Sequence, residues 1–439
     1  MYDIIYIGGG LNYAGAVVAA KYGLKVALIE TSLDQLGGVC LHKGCIPSKM
    51  FLYYAETIRQ SKADVFDGNI MLDMQVLSEK KSKLIANASR RIRTQCKDVE
   101  LIEGKGRIIA PHEVEVKGKV YRAEHIVIGT GSSAFIPDGI AYDGKAIITS
   151  NEVLELKKLP KEIAIYGSGA IALEMASFFA SSGVKVTLIS RGETLLKKSH
   201  PLIQSKMLKE MEKLGVIYLK KHVVLSAENT TKGVYITFED GTSAYYEQML
   251  VATGRKPNTD VIAIDEIAVN RGIETDAFFE TTLAKHYAIG DCNGKVQLAH
   301  AARAQVLNVS MRIVGKDPKK LDLDHVVKFI HTLPMSYATV GQSKDMLEKN
   351  STVFKESVVT LDNFASYGFR HSVNGAMMVY ADEEGLILGA EILAADAEEH
   401  IAPIAMALAG EMNAFSAGQT IMAHPTFSEA LERAYSRLG

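Results

Sequence analysis

Short apolar runs alternate with small-residue helical stretches at the start of the chain. An apolar run at residues 4–7 leads into three consecutive glycines, a small-residue helical stretch at 14–20 and a second apolar run at 25–30. Unbroken apolar runs of this length are typical of strands buried on both faces of a parallel sheet. The pattern therefore predicts a strand, a glycine turn, a helix and a second strand.

The same pattern returns once. An apolar run at residues 163–166 meets a Gly-Ser-Gly turn, a helical stretch follows, and a strand is predicted at 185–190. Each copy is later closed by an apolar strand that ends in a Thr-Gly turn, at 125–131 and at 249–254. A single glycine fingerprint is weak support for nucleotide binding, but two copies with matching later turns predict two Rossmann-like domains in an α/β protein.

The pattern changes from about residue 330 onward. Strands are predicted at 376–381 and 385–393, and the helix after them places Ile401, Ile404, Ala405 and Leu408 on one face. This arrangement predicts an α+β domain. The chain is therefore expected to divide into segments 1–146, 147–258, 259–328 and 329–439.

The glycine turns have a chemical use. Glycine lets the backbone approach a pyrophosphate, the helix N-terminus faces its negative charge, and Glu30 at the end of the second strand can hold ribose hydroxyls. One departure stands in the first copy, where Tyr13 occupies the third fingerprint position and the helix is one residue short. Gly15 is expected to compensate through a shifted turn.

The second copy ends differently from the first. Ser190 stands where the first copy has Glu30, with Arg191 beside it and Lys197 seven residues further on. An acid would repel a 2′-phosphate, whereas these three residues can bind one, so the second site favours NADPH over NADH. The alternative is that Arg191 and Lys197 are solvated charges after a strand.

The bulk composition narrows the function further. The chain has 439 residues and a net charge of −2, without the basic excess that nucleic acid or an anionic membrane attracts. No apolar stretch reaches the roughly 18 residues of a membrane span, and the N-terminus enters a strand directly. We therefore expect a cytoplasmic protein whose partners are small molecules or its own copy.

Cysteine usage points to redox chemistry. The four cysteines, at positions 40, 45, 96 and 292, are too few for a secreted disulfide framework. Cys96 and Cys292 are expected to be ordinary buried residues. A bridge between Cys40 and Cys45 would close a very short, strained and easily reduced loop, with Gly44 supplying local freedom. No second ligand pair accompanies them, so no metal site is expected.

The segment GGVCLHKGCIPSK at 37–49 resembles the active-site segment of the pyridine nucleotide-disulfide oxidoreductases. Nearly the whole chain shares the resemblance, because residues 251–258, 287–291 and 424–429 look like the family's second nucleotide turn, its flavin-binding aspartate motif and its C-terminal His-Glu signature. The resemblance implies a glutathione reductase-like fold, FAD with NADPH or NADH, and a homodimer. Residues 1–146 and 259–328 would then bind FAD, 147–258 the pyridine nucleotide, and 329–439 would form the dimer.

The resemblance also implies a role for individual residues. Cys45 would lie next to the flavin, Cys40 would exchange with the substrate disulfide, and His424 from the other subunit would be the base that Glu429 orients. Lys49 would lie near the flavin ring, paired with Glu174. The cofactor-binding residues implied in all are Gly8, Gly10, Glu30, Gly38, Lys49, Gly131, Asp291, Ala299, Gly167, Gly169, Glu174, Ser190, Arg191, Lys197 and Gly254.

Two enzymatic identities compete within the family. Residues 40–49, 388–391 and 424–429 look most like dihydrolipoyl dehydrogenase, which makes a lipoyl group the first expectation for the substrate. The end of the second strand instead resembles the NADPH-dependent glutathione reductase branch, because Ser190, followed by Arg191 and Lys197, stands where dihydrolipoyl dehydrogenases usually have an acid. Mercuric reductase is disfavoured, because Leu438-Gly439 is not a cysteine pair. A flavin-binding redox sensor or complex subunit without turnover is a remote alternative from another class.

Overall fold

The computed structural model describes residues 1–369 and 374–439. The chain forms two compact units, one from Met1–Ser48, Val76–Phe135 and Arg255–Leu323, the other from Lys49–Gln75, Ile136–Gly254 and Asp324–Gly439. The four-segment division expected from the sequence is finer than this and stays a prediction.

The elements of residues 1–135 and 255–323 begin with the predicted strand–helix–strand unit. In residues 1–135 they are β1 (Tyr2–Ile7), α1 (Asn12–Lys21), β2 (Val26–Glu30), α2 (Gly38–Lys43), α3 (Cys45–Ser61), α4 (Met74–Gln95), β3 (Glu100–Glu103), β4 (Arg107–Ala110), β5 (Glu113–Val116), β6 (Lys119–Ile128) and β7 (Ser132–Ala134). The later elements of the first unit, numbered in chain order, are β16 (Arg255–Pro257), β17 (His286–Ala288) and α8 (Ala299–Ile313).

The first unit is built on a seven-stranded sheet in the order β3-β2-β1-β6-β5-β4, with β17 paired to β6. Side chains alternate across β1, so that Ile4 and Tyr6 enter one hydrophobic cluster while Ile5 and Ile7 enter another. The two clusters cover both faces of the sheet, and α1 packs against α8 within the first of them. Burial on both faces explains why the strands read as unbroken apolar runs.

The second unit holds the repeated fingerprint. Its elements in residues 136–254 are β8 (Ile147–Ile148), α5 (Ser150–Val153), β9 (Glu162–Tyr166), α6 (Ala170–Ser181), β10 (Lys185–Ser190), α7 (Pro201–Lys213), β11 (Ile217–Lys220), β12 (Val224–Thr230), β13 (Gly233–Phe238), β14 (Ser243–Tyr246) and β15 (Gln248–Val251). A parallel sheet runs in the order β11-β10-β9-β15-β8, and β12-β13-β14 form an antiparallel sheet beside it. Both nucleotide-binding halves predicted from the sequence are therefore present as Rossmann-like folds.

The C-terminal region changes to α+β architecture, as the sequence predicted. Its elements are β18 (Lys328–Ile330), β19 (Ser336–Gly341), α9 (Lys344–Lys349), β20 (Lys355–Thr360), α10 (Ala365–Gly368), β21 (Ala376–Ala381), β22 (Ile387–Ala394), α11 (Ala397–His400), α12 (Ala402–Ala409), α13 (Ala414–Gly418) and α14 (Ser428–Ser436). The described strands form an antiparallel sheet in the order β18-β19-β22-β21-β20. Helices α12 and α14 pack on it through one large hydrophobic cluster.

One charged residue lies inside this sheet. The Glu391 carboxylate is fully buried in β22 and accepts hydrogen bonds from the hydroxyls of Tyr337 and Tyr380, each at 2.9 Å. The backbone N–H of His200 donates a third bond at 3.0 Å. Buried charge is tolerated where its oxygens are satisfied in this way. None of the helices in the described parts of the chain is long and apolar enough to cross a membrane.

Candidate active site

The redox pair lies at a break between two helices. Cys40 belongs to α2, Gly44 ends that helix, and Cys45 is the first residue of α3. A Cβ added at Gly44 would come within 2.9 Å of the Val39 carbonyl oxygen and 3.3 Å of the Cys40 Cα. Only glycine allows this close approach, which folds the chain back so that Cys45 meets Cys40.

The two cysteines, both held as thiols, differ in their surroundings. Cys40 is half-buried, and its hydrogen bond with Cys45, together with burial, raises its pKa well above the usual range. Cys45 is exposed and begins a 17-residue helix, whose N-terminus favours negative charge. These surroundings favour the protonated form of Cys40.

The first glycine turn is placed against the segment that leads into the redox pair. Gly38 has a φ of 63°, and a Cβ there would lie 2.8 Å from the Cα of Gly10. Around Gly10 itself, an added Cβ would meet nothing within 4 Å. This open space beside the first turn of α1 fits a dinucleotide pyrophosphate, which needs backbone N–H groups and room for close approach.

The role of the third fingerprint glycine is taken by Gly15. A Cβ at Gly15 would come within 2.5 Å of both Ser310 Oγ and Val306 Cγ2 on α8. The helix begins at Asn12, whose side-chain amide is fully buried and donates to the Ile7 carbonyl at 3.0 Å. Tyr13 packs against the hydrophobic cluster of this unit. Gly15 therefore allows a close contact between α1 and α8, and the shifted turn expected from the sequence stays a prediction.

The two acids expected at the FAD site lie at strand ends. Glu30 ends β2 and accepts hydrogen bonds from the N–H groups of Gly9 at 2.5 Å and Thr31 at 2.6 Å. Asp291 lies in the short helical turn after β17 and accepts a bond from the Ser132 hydroxyl at 2.5 Å. Each carboxylate retains lone pairs for sugar or ribityl hydroxyls, so both fit the proposed cofactor.

Arg255 is a site residue to which the sequence assigned no role. Its Nε donates to the Ser132 hydroxyl at 2.8 Å and its terminal nitrogen to the Ser132 carbonyl at 2.5 Å. Burial lowers the pKa of Arg255, while the negative charges of Asp291 and Cys45 oppose that effect. The motif at 251–258 contains Arg255 and could have drawn attention to it. Only the fold, however, brings its positive charge near Asp291 and Cys45.

The remaining residues expected in the first unit lie at turns and helix ends. Gly131 has a φ of 70°, and its carbonyl accepts from the N–H of Asn258 at 3.0 Å. Ala299 is the first residue of the 15-residue helix α8. Cys96 and Cys292 are both buried, as expected of ordinary small residues. No cluster of three or more metal-binding side chains is found in the ranges 1–369 and 374–439.

The second glycine turn is formed by Gly167, Ser168 and Gly169. Gly167 and Gly254 adopt φ angles of 132° and 135°, and an added Cβ at Gly169 would meet nothing within 4 Å. The hydroxyl of Ser190 is buried, donating to Ser168 Oγ at 3.0 Å and accepting from the N–H of Gly192 at 3.0 Å. Through its hydrogen bond to Ser168, the buried hydroxyl of Ser190 thus stabilises the glycine turn.

The expected phosphate-binding cations lie at the surface. Arg191 and Lys197 are both exposed after β10. Glu193 is exposed between them in the chain, and its carboxylate lies 3.0 Å from the ammonium of Lys221. The side chains of Arg191 and Lys197 are thus accessible to solvent, whereas the Ser190 hydroxyl is engaged within the protein.

Lys49 and Glu174 form a short ion pair. The Lys49 ammonium lies 2.5 Å from Glu174 Oε1 and 5.2 Å from the centre of the Phe329 ring. The backbone N–H of His331 donates to the same Glu174 oxygen at 3.0 Å. Glu174 is buried, so its charge is balanced by these two donors.

The His424–Glu429 dyad joins the segment before α14 to the first turn of that helix. Nδ1 of His424 lies 2.7 Å from Glu429 Oε1, and the N–H of Thr426 donates to the other oxygen at 3.1 Å. The bond with His424 is the main reason that the pKa of Glu429 is lowered. His424 itself is 77% exposed. Glu429 thus engages Nδ1, one of the two ring nitrogens of His424.

The chain matches two family models in succession. Residues 2–305 match the pyridine nucleotide-disulphide oxidoreductase family, and residues 327–435 match the dimerisation domain of the same family. Among curated relatives, dihydrolipoyl dehydrogenase of Bacillus subtilis is 31% identical, covering 99% of this chain and 97% of its own length. Mercuric reductase of Lysinibacillus sphaericus is 30% identical over 99% of this chain and 82% of its own.

Solved structures share the fold over the full length. LpdA of Mycobacterium tuberculosis superimposes with a TM-score of 0.91 at 24% identity, covering 100% of both chains. The HOCl-induced flavoprotein disulfide reductase RclA of Escherichia coli gives 0.90, also at 24% identity and full coverage. The chain belongs to the pyridine nucleotide-disulphide oxidoreductases, FAD-dependent enzymes that exchange electrons with NAD(P)H, and carries that family's dimerisation domain.

Proposed function

We propose that this enzyme moves two electrons between NAD(P)H and a small disulfide or dithiol through FAD and the pair Cys40–Cys45, most closely in the manner of a dihydrolipoyl dehydrogenase. The observation that carries the proposal is the pair itself, brought together across Gly44, where the hydrogen bond with Cys45 and burial raise the pKa of Cys40. Full-length similarity to dihydrolipoyl dehydrogenases supports the lipoyl group as substrate.

Thiol exchange at the pair proceeds in two displacements. In the direction of dithiol oxidation, a substrate thiolate attacks the Cys40 sulfur, the Cys40–Cys45 bond breaks, and its electron pair leaves on Cys45. The second substrate thiolate then attacks the mixed disulfide, giving the substrate disulfide and reduced Cys40. FAD, when bound, carries these two electrons to NAD(P)⁺, which becomes NAD(P)H with release of one proton.

Proton transfer is the proposed work of His424. The raised pKa of Cys40 means that this thiol needs a base before it can act as a nucleophile in the reverse direction. Glu429 orients the imidazole through Nδ1, and Nε2 takes and returns the proton. We propose, as the resemblance implies, that this dyad serves the cysteine pair of the partner subunit in a homodimer.

The nucleotide preference is the finer part of the proposal. We favour NADPH, because no acid stands at the end of β10 and Arg191 and Lys197 are exposed there. A glutathione reductase-type enzyme is the second candidate on the same observation. Arg191→Glu should raise the KM for NADPH roughly tenfold or more with little change for NADH, the loss expected for one cation–phosphate contact.

A steady-state matrix of NADH and NADPH against lipoamide and oxidised glutathione tests both candidates. Turnover of lipoamide supports the first candidate, and turnover of oxidised glutathione alone supports the second. A protein that binds FAD and is reduced by the nucleotide, yet turns over no disulfide, would be the non-catalytic redox sensor instead. A clear preference for NADH would end the argument from Arg191. A cytoplasmic location stays a prediction from cysteine usage.

A further inference from the structure

The Glu174 carboxylate accepts hydrogen bonds from two donors, of which the Lys49 ammonium is one. The same carboxylate oxygen accepts from the Lys49 ammonium at 2.5 Å and from the backbone N–H of His331 at 3.0 Å. Because Glu174 is buried, its orientation depends on both donors. The position of the chain at residue 331 therefore helps to set the position of the Lys49 ammonium.

The side chain of His331 is anchored elsewhere. Its Nδ1 hydrogen-bonds to Glu398 at the start of α11, and the two side chains are only 24% and 14% exposed. Burial alone would raise the pKa of Glu398, but the bond and charge of His331, together with hydrogen bonds from a backbone N–H and from Ser336, lower it to about 2. The carboxylate is therefore charged at neutral pH, and a charged bond in so enclosed a place is a firm anchor.

The anchored segment touches Lys49 a second time. Phe329 lies two residues before His331, in the middle of β18, and the centre of its ring is 5.2 Å from the Lys49 ammonium. Residues 329–331 thus contact the Lys49–Glu174 pair through one ring and one backbone N–H. Loss of the Glu398 anchor would release both contacts together.

We infer that His331, held by Glu398, is a positioning residue that fixes the Lys49 ammonium and thereby tunes the flavin. This inference rests on the proposed function, in which Lys49 lies near the flavin ring. It adds a residue pair, His331 and Glu398, to the groups proposed to act at the flavin. Its effect passes only through Lys49 and Glu174.

The test uses the purified holoenzyme and two readouts, the visible flavin spectrum and the rate of flavin reduction by pyridine nucleotide. His331→Ala should shift the flavin absorption bands and slow reduction roughly tenfold, since sub-ångström displacement of a positioned group costs about that much or more. His331→Gln, which can still donate to Glu398, should recover most of both. Glu398→Gln repeats the test with a milder change should the alanine variant fold poorly.

Two comparisons make the result decisive. Glu356→Gln alters a second His–carboxylate pair of similar burial, with His200 at 3.3 Å, and should leave the flavin unchanged. In a Lys49→Met background, His331→Ala should add nothing, because its effect passes through the missing ammonium.

The inference is overturned if His331→Ala lowers only the unfolding midpoint and leaves the flavin spectrum and reduction rate at wild-type values. It also falls if the effect is undiminished in the Lys49→Met background. If Lys49→Met itself changes neither readout, the placement of the flavin in the proposed function is wrong, and the inference fails with it. A change with Lys49→Met but none with His331→Ala removes the inference alone.

Discussion

Gly15→Ala should destabilise the first unit although alanine is the better helix former. The added Cβ would lie 2.5 Å from Ser310 Oγ and Val306 Cγ2 and 3.2 Å from the Tyr6 ring. Ordinary contact needs about 3.5–4 Å, so α1 and α8 must separate by close to an ångström. Overpacking of this kind costs about 1–3 kcal/mol, whereas the helix propensity gain is about 1 kcal/mol. Because two contacts at Gly15 are short by about an ångström, the overpacking cost should lie in the upper half of its range, which leaves a net loss of about 1–2 kcal/mol.

Urea unfolding of the flavin-free protein measures this loss, and Gly10→Ala is the matched control. Gly10 lies in the glycine turn just before α1, and a Cβ there would meet nothing within 4 Å, so its alanine variant should unfold like wild type but retain less FAD. Val306→Ala should cost less in the Gly15→Ala background than alone, by at least about 1 kcal/mol, because it removes one clashing atom. A Gly15→Ala variant as stable as wild type would refute the close helix contact.

Three further outcomes are expected. Cys45→Ser should abolish the long-wavelength thiolate–flavin absorbance of the anaerobically reduced enzyme, and survival of that band would reverse the assigned sulfur roles. Burial lowers the pKa of His125 and His286, so the unfolded chain binds more protons than the folded chain below about pH 6.5. The free energy of unfolding should therefore be at its full value above about pH 6.5 and decrease below it. Urea midpoints measured from pH 7.5 to 5 would show this decrease. Tyr380→Phe, which removes a donor to the buried Glu391, should cost about 1.5–3 kcal/mol in urea unfolding, and a neutral result would mean that Glu391 is not charged there.

Much of the fold could be predicted because buried strands and glycine turns leave local patterns. The apolar runs became β1, β2, β9 and β10, and the cysteine spacing led to the redox pair. The first helix begins at Asn12 rather than Ala14, since a leucine stands at the capping position and gives no start signal.

The tertiary contacts of the site could not be read from local patterns. Glu398 follows His331 by 67 positions, and only the packing of α11 beside β18 joins them. The motif that contains Arg255 could be recognised from the sequence, but its hydrogen-bond partner, Ser132, could be identified only from the fold. Ser190 was expected to face a phosphate, but its hydroxyl is used inside the glycine turn because the side chain lies inward at the end of a buried strand.

The break at Gly44 gives the two cysteines different access to reagents. Cys45 is exposed in the protein alone, and Cys40 is half-covered. If FAD lies over Cys45 as proposed, a thiol-alkylating reagent should label Cys45 in the flavin-free protein and Cys40 in the reduced holoenzyme. Peptide mapping after brief alkylation would then serve as a chemical footprint of flavin occupancy, independent of colour or turnover.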